Sequence, residues 1–277
     1  MSVSLIDINR LRITKIREIK KESPSVKTFL FHDELCSEAK PGQFVMVWIP
    51  GVDEVPMSLS AIGPDERFSI TVAKVGEATA ALHKREIGDV LGIRGPYGNS
   101  FAPVSGNTMV VGGGTGLVPL APLTEELAEL HASVVFIAGA KTQNELLFLD
   151  RMTTTLSRID ERIIAVTEDG SHGVEGLATD VAEQTLEKER FDMLYTCGPE
   201  EMMYKLFLLA ERYETPIQAS LERLMRCAVG ICGSCVIGKF RVCRDGPVFS
   251  LNQLSEVKEE FGRFGRGSTG KRVRIPS

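Results

Sequence analysis

The sequence predicts a β + α/β chain in three parts. These are an N-terminal antiparallel β-barrel (residues 1–104), a central domain with a parallel sheet (105–219), and a small cysteine-rich C-terminal segment (220–277). Three observations predict it. Short Val/Ile/Phe/Thr-rich runs with Gly and Pro between them fill the first hundred residues. From Asn107 the pattern changes to apolar strands alternating with helical stretches, the mark of a sheet covered on both faces. Four of the six cysteines then crowd between positions 227 and 243.

Composition bounds the answer before any motif does. At 277 residues the chain is long enough for two or more domains, and 43% hydrophobic with 25% charged is ordinary for a soluble globular protein. No apolar run approaches membrane-spanning length, and Asp7, Arg10 and Arg12 leave no room for a signal-peptide core, so no membrane role and a cytoplasmic location are expected. A formal charge of −5 argues against nucleic-acid binding. The exception is a basic tail with Arg263, Arg266, Lys271, Arg272 and Arg274 and no acidic residue after Gly262. The four histidines lie far apart and make no metal motif.

In the first part, strands are expected at Arg12–Ile19, Val26–Phe31, Gln43–Ile49, Met57–Ile62, Phe68–Lys74 and Val90–Arg94. Phe68, Ile70 and Val72 alternate as on a half-buried strand. Three details go beyond a plain structural barrel. Pro56-Met57-Ser58-Leu59-Ser60 places hydroxyls at a proline-led strand entry, and Gly76-Glu77-Ala78-Thr79 puts a glycine turn before a helix start, where free N–H groups and a hydroxyl suit a pyrophosphate. Gly95-Pro-Tyr-Gly-Asn-Ser-Phe101 closes the last strand.

The middle part is expected to hold strands at Thr108–Val111, Ser133–Ala138, Arg162–Thr167 and Phe191–Thr196, with helices at Leu117–His131, Asn144–Ser157, Leu177–Glu187 and Glu200–Tyr213. The first strand runs into Gly112-Gly-Gly-Thr-Gly-Leu-Val-Pro119. Leu117 stands where G-x-G-x-x-G needs its third glycine, and no Gly-Lys-Ser/Thr makes it a P-loop, yet such a strand-to-helix turn can still bring N–H groups against a diphosphate. A side chain at Gly114 or Gly116 is expected to collide with that diphosphate. The last strand ends at Thr196-Cys197-Gly198-Pro199, where spacing alone favours a buried thiol without chemistry. Thr167-Glu-Asp-Gly-Ser-His-Gly173 offers carboxylates and hydroxyls suited to ribose, with Glu168 and Asp169 favouring NAD over NADP.

In the last part Cys227, Cys232, Cys235 and Cys243 have the spacing C-x4-C-x2-C-x7-C, whose first three members follow the plant-type pattern for a [2Fe–2S] cluster. Gly230, Gly233 and Ser234 let such a loop wrap closely. A structural zinc site usually shows two C-x2-C knuckles, and here there is one, so the spacing favours iron–sulfur over zinc and either over disulfides. Ser250-x-x-Gln253 reads as a capping box for a helix over Asn252–Phe261, which either offers Leu254 and Val257 as apolar anchors for a partner or only covers the cluster. Arg223, Arg226, Lys239, Arg241 and Arg244 surround the cysteines and imply an acidic partner face.

The series Pro56-Met-Ser-Leu, Gly76-Glu-Ala-Thr79, Gly95-Pro-Tyr-Gly98, Gly112-Gly-Gly-Thr-Gly-Leu-Val-Pro119 and Cys197-Gly-Pro199 resembles the ferredoxin-reductase superfamily. With Ser220-Leu-Glu-Arg-Leu-Met-Arg-Cys227 through Cys235 and Val242-Cys-Arg-Asp-Gly-Pro-Val-Phe249, nearly the whole chain resembles the electron-transfer subunits of heteromeric dihydroorotate dehydrogenases. The resemblance implies FAD in the barrel, NAD(H) in the central domain and a [2Fe–2S] cluster at the C-terminal end. It also implies a heterotetramer with a separate FMN-containing catalytic subunit that interconverts dihydroorotate and orotate, in pyrimidine biosynthesis. By motif, Pro56, Met57, Ser58, Thr71, Val72, Ala73, Ala78 and Thr79 take the flavin positions, and Gly114, Gly116, Cys197, Gly198 and Pro199 the nicotinamide side. The four cysteines take the cluster-ligand positions. Where such relatives usually carry an arginine before the flavin-motif proline, this chain has Val55, which removes a charge-assisted contact to the pyrophosphate.

The order of modules makes chemical sense. NADH gives up two electrons as hydride and a [2Fe–2S] cluster takes one at a time, so a flavin that releases electrons singly belongs between them. No catalytic acid or base is expected in the chain. Two other readings fit the same motifs: a diaphorase-type subunit of a soluble hydrogenase or of an NADH-dependent ferredoxin:NADP oxidoreductase, and a non-catalytic redox-sensing module.

Overall fold

The computed structural model describes residues 4–157, 161–266 and 271–274. After the short helix α1 (Leu5–Asn9) come seven antiparallel strands: β1 (Arg12–Lys15), β2 (Glu18–Lys21), β3 (Val26–His32), β4 (Phe44–Ile49), β5 (Asp53–Ile62), β6 (Arg67–Ala73) and β7 (Val90–Tyr97). They form one sheet in the order β1-β7-β4-β5-β6-β3-β2. The expected single strand over Arg12–Ile19 is two strands at opposite edges. The chain crosses from one edge to the other at Ile16 and Arg17, whose N–H groups donate to Asp89 O at 2.9 Å and Leu30 O at 2.8 Å. That crossing curls the sheet into the expected barrel, around Phe29, Phe31, Val47, Phe68 and Ile93.

Helix α2 (Glu34–Ser37) lies between β3 and β4, and α3 (Glu77–His83) between β6 and β7. Strand β6 is buried on both faces rather than one, because the central domain covers its second side. There Ser60 and Ser69 share a 2.8 Å hydrogen bond, and Arg151 donates to Ser60 O at 2.8 Å while paired with Glu125.

The central strands are β8 (Asn107–Gly113), β9 (Ser133–Ala140), β10 (Glu161–Thr167), β11 (Val174–Glu175), β12 (Met193–Cys197) and β13 (Ile217–Ser220). Between them run α4 (Leu117–Glu129), α5 (Leu149–Leu156), α6 (Ala178–Leu186) and α7 (Glu200–Arg212). The sheet order is β11-β10-β9-β8-β12-β13 with a further strand outside β13, and the six strands named are parallel. The order reverses between β8 and β12, so the crevice beyond their C-terminal ends is where an open sheet of this kind binds ligands. One expected helix is broken: Leu146 is extended, Leu147 is buried and Phe148 is left-handed at φ 62°, so α5 starts only at Leu149.

The C-terminal segment adds the hairpin β14 (Val236–Ile237) and β15 (Phe240–Arg241), α8 (Val242–Asp245), β16 (Val248–Ser250), α9 (Leu251–Glu256) and the ribbon β17 (Phe264–Arg266) with β18 (Arg272–Arg274). The turn of that basic ribbon, residues 267–270, lies outside the described residues. Strand β16 is the outermost strand of the central sheet, antiparallel to β13. The capping box holds, with Ser250 N–H donating to Gln253 Oε1 at 3.0 Å, but α9 ends at Glu256, short of the expected Phe261. Leu254 and Val257 are not surface anchors: both are buried against Phe207 and Phe261.

Candidate functional site

A cleft of about 910 Å³ opens at the C-terminal ends of β8 and β12. Its barrel wall is Val55, Pro56, Met57 and Ser58 of β5 with Thr71, Val72 and Ala73 of β6. Its floor is the turn from Gly113 to Gly116 and the turn Cys197-Gly198-Pro199. Glu200, Arg223, Leu224 and Met225 close the far side. Fold thus brings together residues that the sequence separates by up to 221 positions, Phe44 to Gly265.

Ala78 is the one flavin-motif residue outside the lining; it packs against the barrel core. Thr79 does line the cleft, but its hydroxyl is engaged. It accepts the N–H groups of Val75 and Gly76, each at 2.9 Å, and donates to Gly76 O at 3.0 Å. The hydroxyl therefore shapes the turn before α3. At Val55 no arginine from β7 takes the vacant charge position, because Arg94 is held by Glu54 at 2.7 and 2.6 Å. Among the described lining residues Arg223 is the only Lys or Arg.

The two floor glycines do different work. Gly114 has φ +53° and open space where a Cβ would stand, so a side chain there enters the cleft. Gly116 does not face a ligand. A Cβ at Gly116 would stand 2.1 Å from Cys197 O and 2.5 Å from Gly198 Cα, so this glycine lets the two turns pack backbone against backbone. At Gly116 the obstacle to a side chain is therefore the chain itself, whereas at Gly114 only the open cleft lies in its way. Gly198, at φ +152°, presses on Gly113 in the same way. Burial, then the charge of Glu222, push the Cys197 thiol up to about 12, so it is neutral at pH 7.

The turn after β10 is not part of the cleft lining. Its polar groups hold one another: Asp169 accepts from Ser171 N at 3.0 Å and Oγ at 2.6 Å, which keeps its carboxyl below the usual range. Ser171 Oγ in turn accepts from Gln143 N at 2.8 Å.

Leu224 and Met225 lead from the cleft directly to the cysteine loop. All four thiols are free. The loop turns through positive φ at Ala228 (61°), Gly230 (77°) and Gly233 (72°), and Gly230 lets it pass beneath Arg244, whose Cδ would stand 2.8 Å from a Cβ. Backbone N–H groups reach the sulfurs: Ile231 to Cys227 Sγ at 3.4 Å, Cys232 to the same sulfur at 3.5 Å, and Cys243 to Cys235 Sγ at 3.4 Å. Hydrogen bonding with the Cys243 thiol brings Cys235 down to about 6 and pushes Cys243 up, while the Ser234 hydroxyl brings Cys232 down to about 7. Free thiols, N–H donors and small residues on one tight loop fit the donor set of a [2Fe–2S] cluster. Among the described residues no three of these side chains already stand in chelating position. Cys235 and Cys243 are buried, whereas Cys232 and Ile231 are exposed and form the open rim.

The basic surround is mostly paired. Arg223 is buried on Glu200, Lys239 pairs with Glu256, and Arg241 and Arg244 both reach Asp245. Two residues that sequence reasoning passed over stand out. Asn99 accepts from Val248 N at 2.9 Å and donates to Val248 O at 2.8 Å, and its own N–H donates to Gly246 O at 2.7 Å. The Gly95–Phe101 loop thus clamps the C-terminal segment to the barrel. Glu200, the other, shows no local signal beyond following Cys-Gly-Pro.

Comparison with known proteins agrees with this geometry. Residues 222–255 match the iron–sulfur cluster binding domain of dihydroorotate dehydrogenase B, and residues 110–206 an oxidoreductase NAD-binding domain. The chain is 45% identical over 269 residues to a protein of Methanothermobacter thermautotrophicus, covering 96% of this chain and 98% of that one. A protein of Methanocaldococcus jannaschii is 41% identical over 263 residues, covering 94% and 97%. Both carry the name dihydroorotate dehydrogenase B (NAD(+)), electron transfer subunit. Among solved structures, an NADH-dependent reduced ferredoxin–NADP oxidoreductase superposes with TM-score 0.78 at 30% identity, covering 90% of this chain and 92% of that one.

Proposed function

The chain belongs to the family of dihydroorotate dehydrogenase B electron transfer subunits, and from that premise we propose that it passes electrons between NAD(H) and the FMN of a catalytic dihydroorotate dehydrogenase subunit. FAD, NAD(H) and a [2Fe–2S] cluster are its cofactors. The observation that carries the reading is the single cleft in which barrel wall, glycine turn and Cys197–Pro199 turn meet Leu224 and Met225, the last two residues but one before the cysteine loop. When bound, the flavin supplies the change from two-electron to one-electron transfer.

Each part of the chain then has a task. Val55 to Ser58 and Thr71 to Ala73 hold the flavin against the barrel wall. Gly114 admits a dinucleotide close to the backbone, and the turn Cys197-Gly198-Pro199 orients the nicotinamide beside a neutral thiol. Cys227, Cys232, Cys235 and Cys243 would hold the cluster, and the exposed rim at Ile231 and Cys232 would face the partner. The division into modules falls near residues 104 and 219. The assembly proposed is a heterotetramer in the cytoplasm; among the described residues no helix is long and apolar enough to cross a membrane. The dihydroorotate chemistry itself belongs, on this reading, to the catalytic partner that the relatives' name implies.

The test is co-purification with the catalytic subunit. The complex should contain flavin and iron–sulfur absorbance and form orotate with NAD, while the chain alone should oxidise NADH with artificial acceptors and form no orotate. Orotate from the isolated chain, or a native chain without flavin, overturns the reading. The 30% identity to a ferredoxin–NADP oxidoreductase subunit keeps that electron path as the second reading. A ferredoxin rather than a dihydroorotate dehydrogenase in the native complex decides for it.

A further inference from the structure

We propose that the ion pair of Glu200 and Arg223 is a strap that fixes the cluster-bearing arm, residues 221–227, against the turn after β12. Arg223 Nη1 donates to Glu200 Oε2 at 2.5 Å and Nη2 to Oε1 at 2.7 Å, a two-pronged contact with side chains only 5% and 12% exposed. Nη1 also donates to Glu222 O at 2.8 Å. Three of the five N–H donors of Arg223, the only Lys or Arg among the described cleft residues, are thus committed within the chain.

Glu200 takes a third donor from elsewhere in the chain. Gly262 N–H reaches its Oε1 at 2.9 Å, at a glycine with φ +73° whose Cβ would stand 2.5 Å from Tyr204 Cγ. One carboxylate at the start of α7 therefore joins the turn after β12, the cluster arm and the stretch leading to β17, whose Gly265 also lines the cleft.

Leu221 and Met225 pack the arm into the core, and the ion pair fixes the stretch between them. Residues 221–225 belong to no helix or strand, and the backbone bond from Leu221 N to Pro247 O at 2.9 Å secures only its beginning. A buried ion pair seldom adds net stability over an apolar pair of the same size, and its attested use is to select one arrangement among alternatives. Glu200 and Arg223 are positioning residues on this account. The relevance to electron transfer rests on the function proposed above; the strap itself does not.

The test uses the full chain with Glu200→Gln, Arg223→Met and Arg223→Lys. By hydrogen exchange without added nucleotide, the Gly262 amide and the amides of residues 221–227 should exchange about tenfold faster in Glu200→Gln and Arg223→Met, with β3 and β6 unaffected. In protein shown by its spectrum to retain flavin and cluster, the ratio of cluster reduction to flavin reduction by NADH should fall about tenfold in Arg223→Met, and Arg223→Lys should restore part of it. Unchanged exchange overturns the strap. Faster exchange with an unchanged ratio overturns its role in placing the cluster. A wild-type chain without flavin defeats the functional reading while the exchange result still decides the strap. Should Glu200→Gln fail to fold, Arg223→Lys, which keeps the charge and loses the fork, gives the exchange result.

Discussion

The cleft and the cysteine loop are held by different means. The barrel wall and the glycine floor are ends of sheet strands, placed by backbone ladders and by cores on either side of each sheet. The loop from Cys227 to Cys235 has almost no ladder, turns through left-handed residues and has no core of its own. Its buried members Ala228 and Cys235 share one cluster with Cys243 of α8 and with Leu206, Phe207 and Ala210 of α7. The difference teaches that a binding cleft can be a by-product of regular structure, whereas a metal loop has to be held from outside and by the metal itself.

The sharpest test of that contrast removes a ligand from the loop. Cys235→Ser or Cys232→Ser should abolish the iron–sulfur absorbance and transfer to the partner while NADH still reduces the flavin. A full electron paramagnetic signal in either variant would sink the ligand assignment. Chelating the metal should expose residues 227–244 to proteolysis and leave the barrel protected.

A substitution in the cleft floor should hit the regular part instead. Gly116→Val places atoms inside the Cys197 carbonyl and should destabilise the chain by about 3 kcal/mol in a urea titration. Gly114→Ala should cost only about 1 kcal/mol for its left-handed backbone and should instead raise the KM for NADH. Equal effects at the two glycines would erase the distinction between them.

The clamp between the regions is next. Asn99→Ala leaves the Val248 N–H and C=O unpaired and should cost about 1–3 kcal/mol, with faster hydrogen exchange at residues 246–250. An unchanged exchange pattern would mean that β16 is held by β13 alone.

The smallest expected effect is at high pH. Burial pushes the Tyr195 hydroxyl up to about 12 from an ordinary value near 10. The folded chain therefore keeps a proton that the unfolded chain releases, and stability falls as pH rises from about 10 to about 12. Tyr195→Phe should flatten that fall, measured as the urea midpoint against pH, although it also breaks the bonds to Ala102 O and Val104 N. No difference in slope between the two proteins would remove Tyr195 from the titration.

What the sequence made legible was local. Strand and helix periods, the Gly112–Pro119 turn and the cysteine spacing each lie within about twenty residues, and the elements they predict are found near their expected places except over Arg12–Ile19, Asn144–Ser157 and Asn252–Phe261. What stayed hidden depends on partners far along the chain. Gly116 needs Cys197, Arg223 needs Glu200, and Asn99 needs Val248, and none of these pairings leaves a periodic trace. Thr79 was read for its hydroxyl, but capping and ligand binding call for the same residue at the same place. The break before α5 escaped because Leu146, Leu147 and Phe148 are as apolar as a helix face would be.

The antiparallel pairing of β16 with β13 has a consequence for building new proteins. It makes the iron–sulfur segment a poor cassette. A fusion that transplants residues 220–277 onto another flavin reductase would carry the cysteines but leave behind the strand on which β16 lies, the Asn99 that grips Val248 and the carboxylate that receives Arg223. A recipient would have to present all three at the same spacing before the grafted thiols could find one shape.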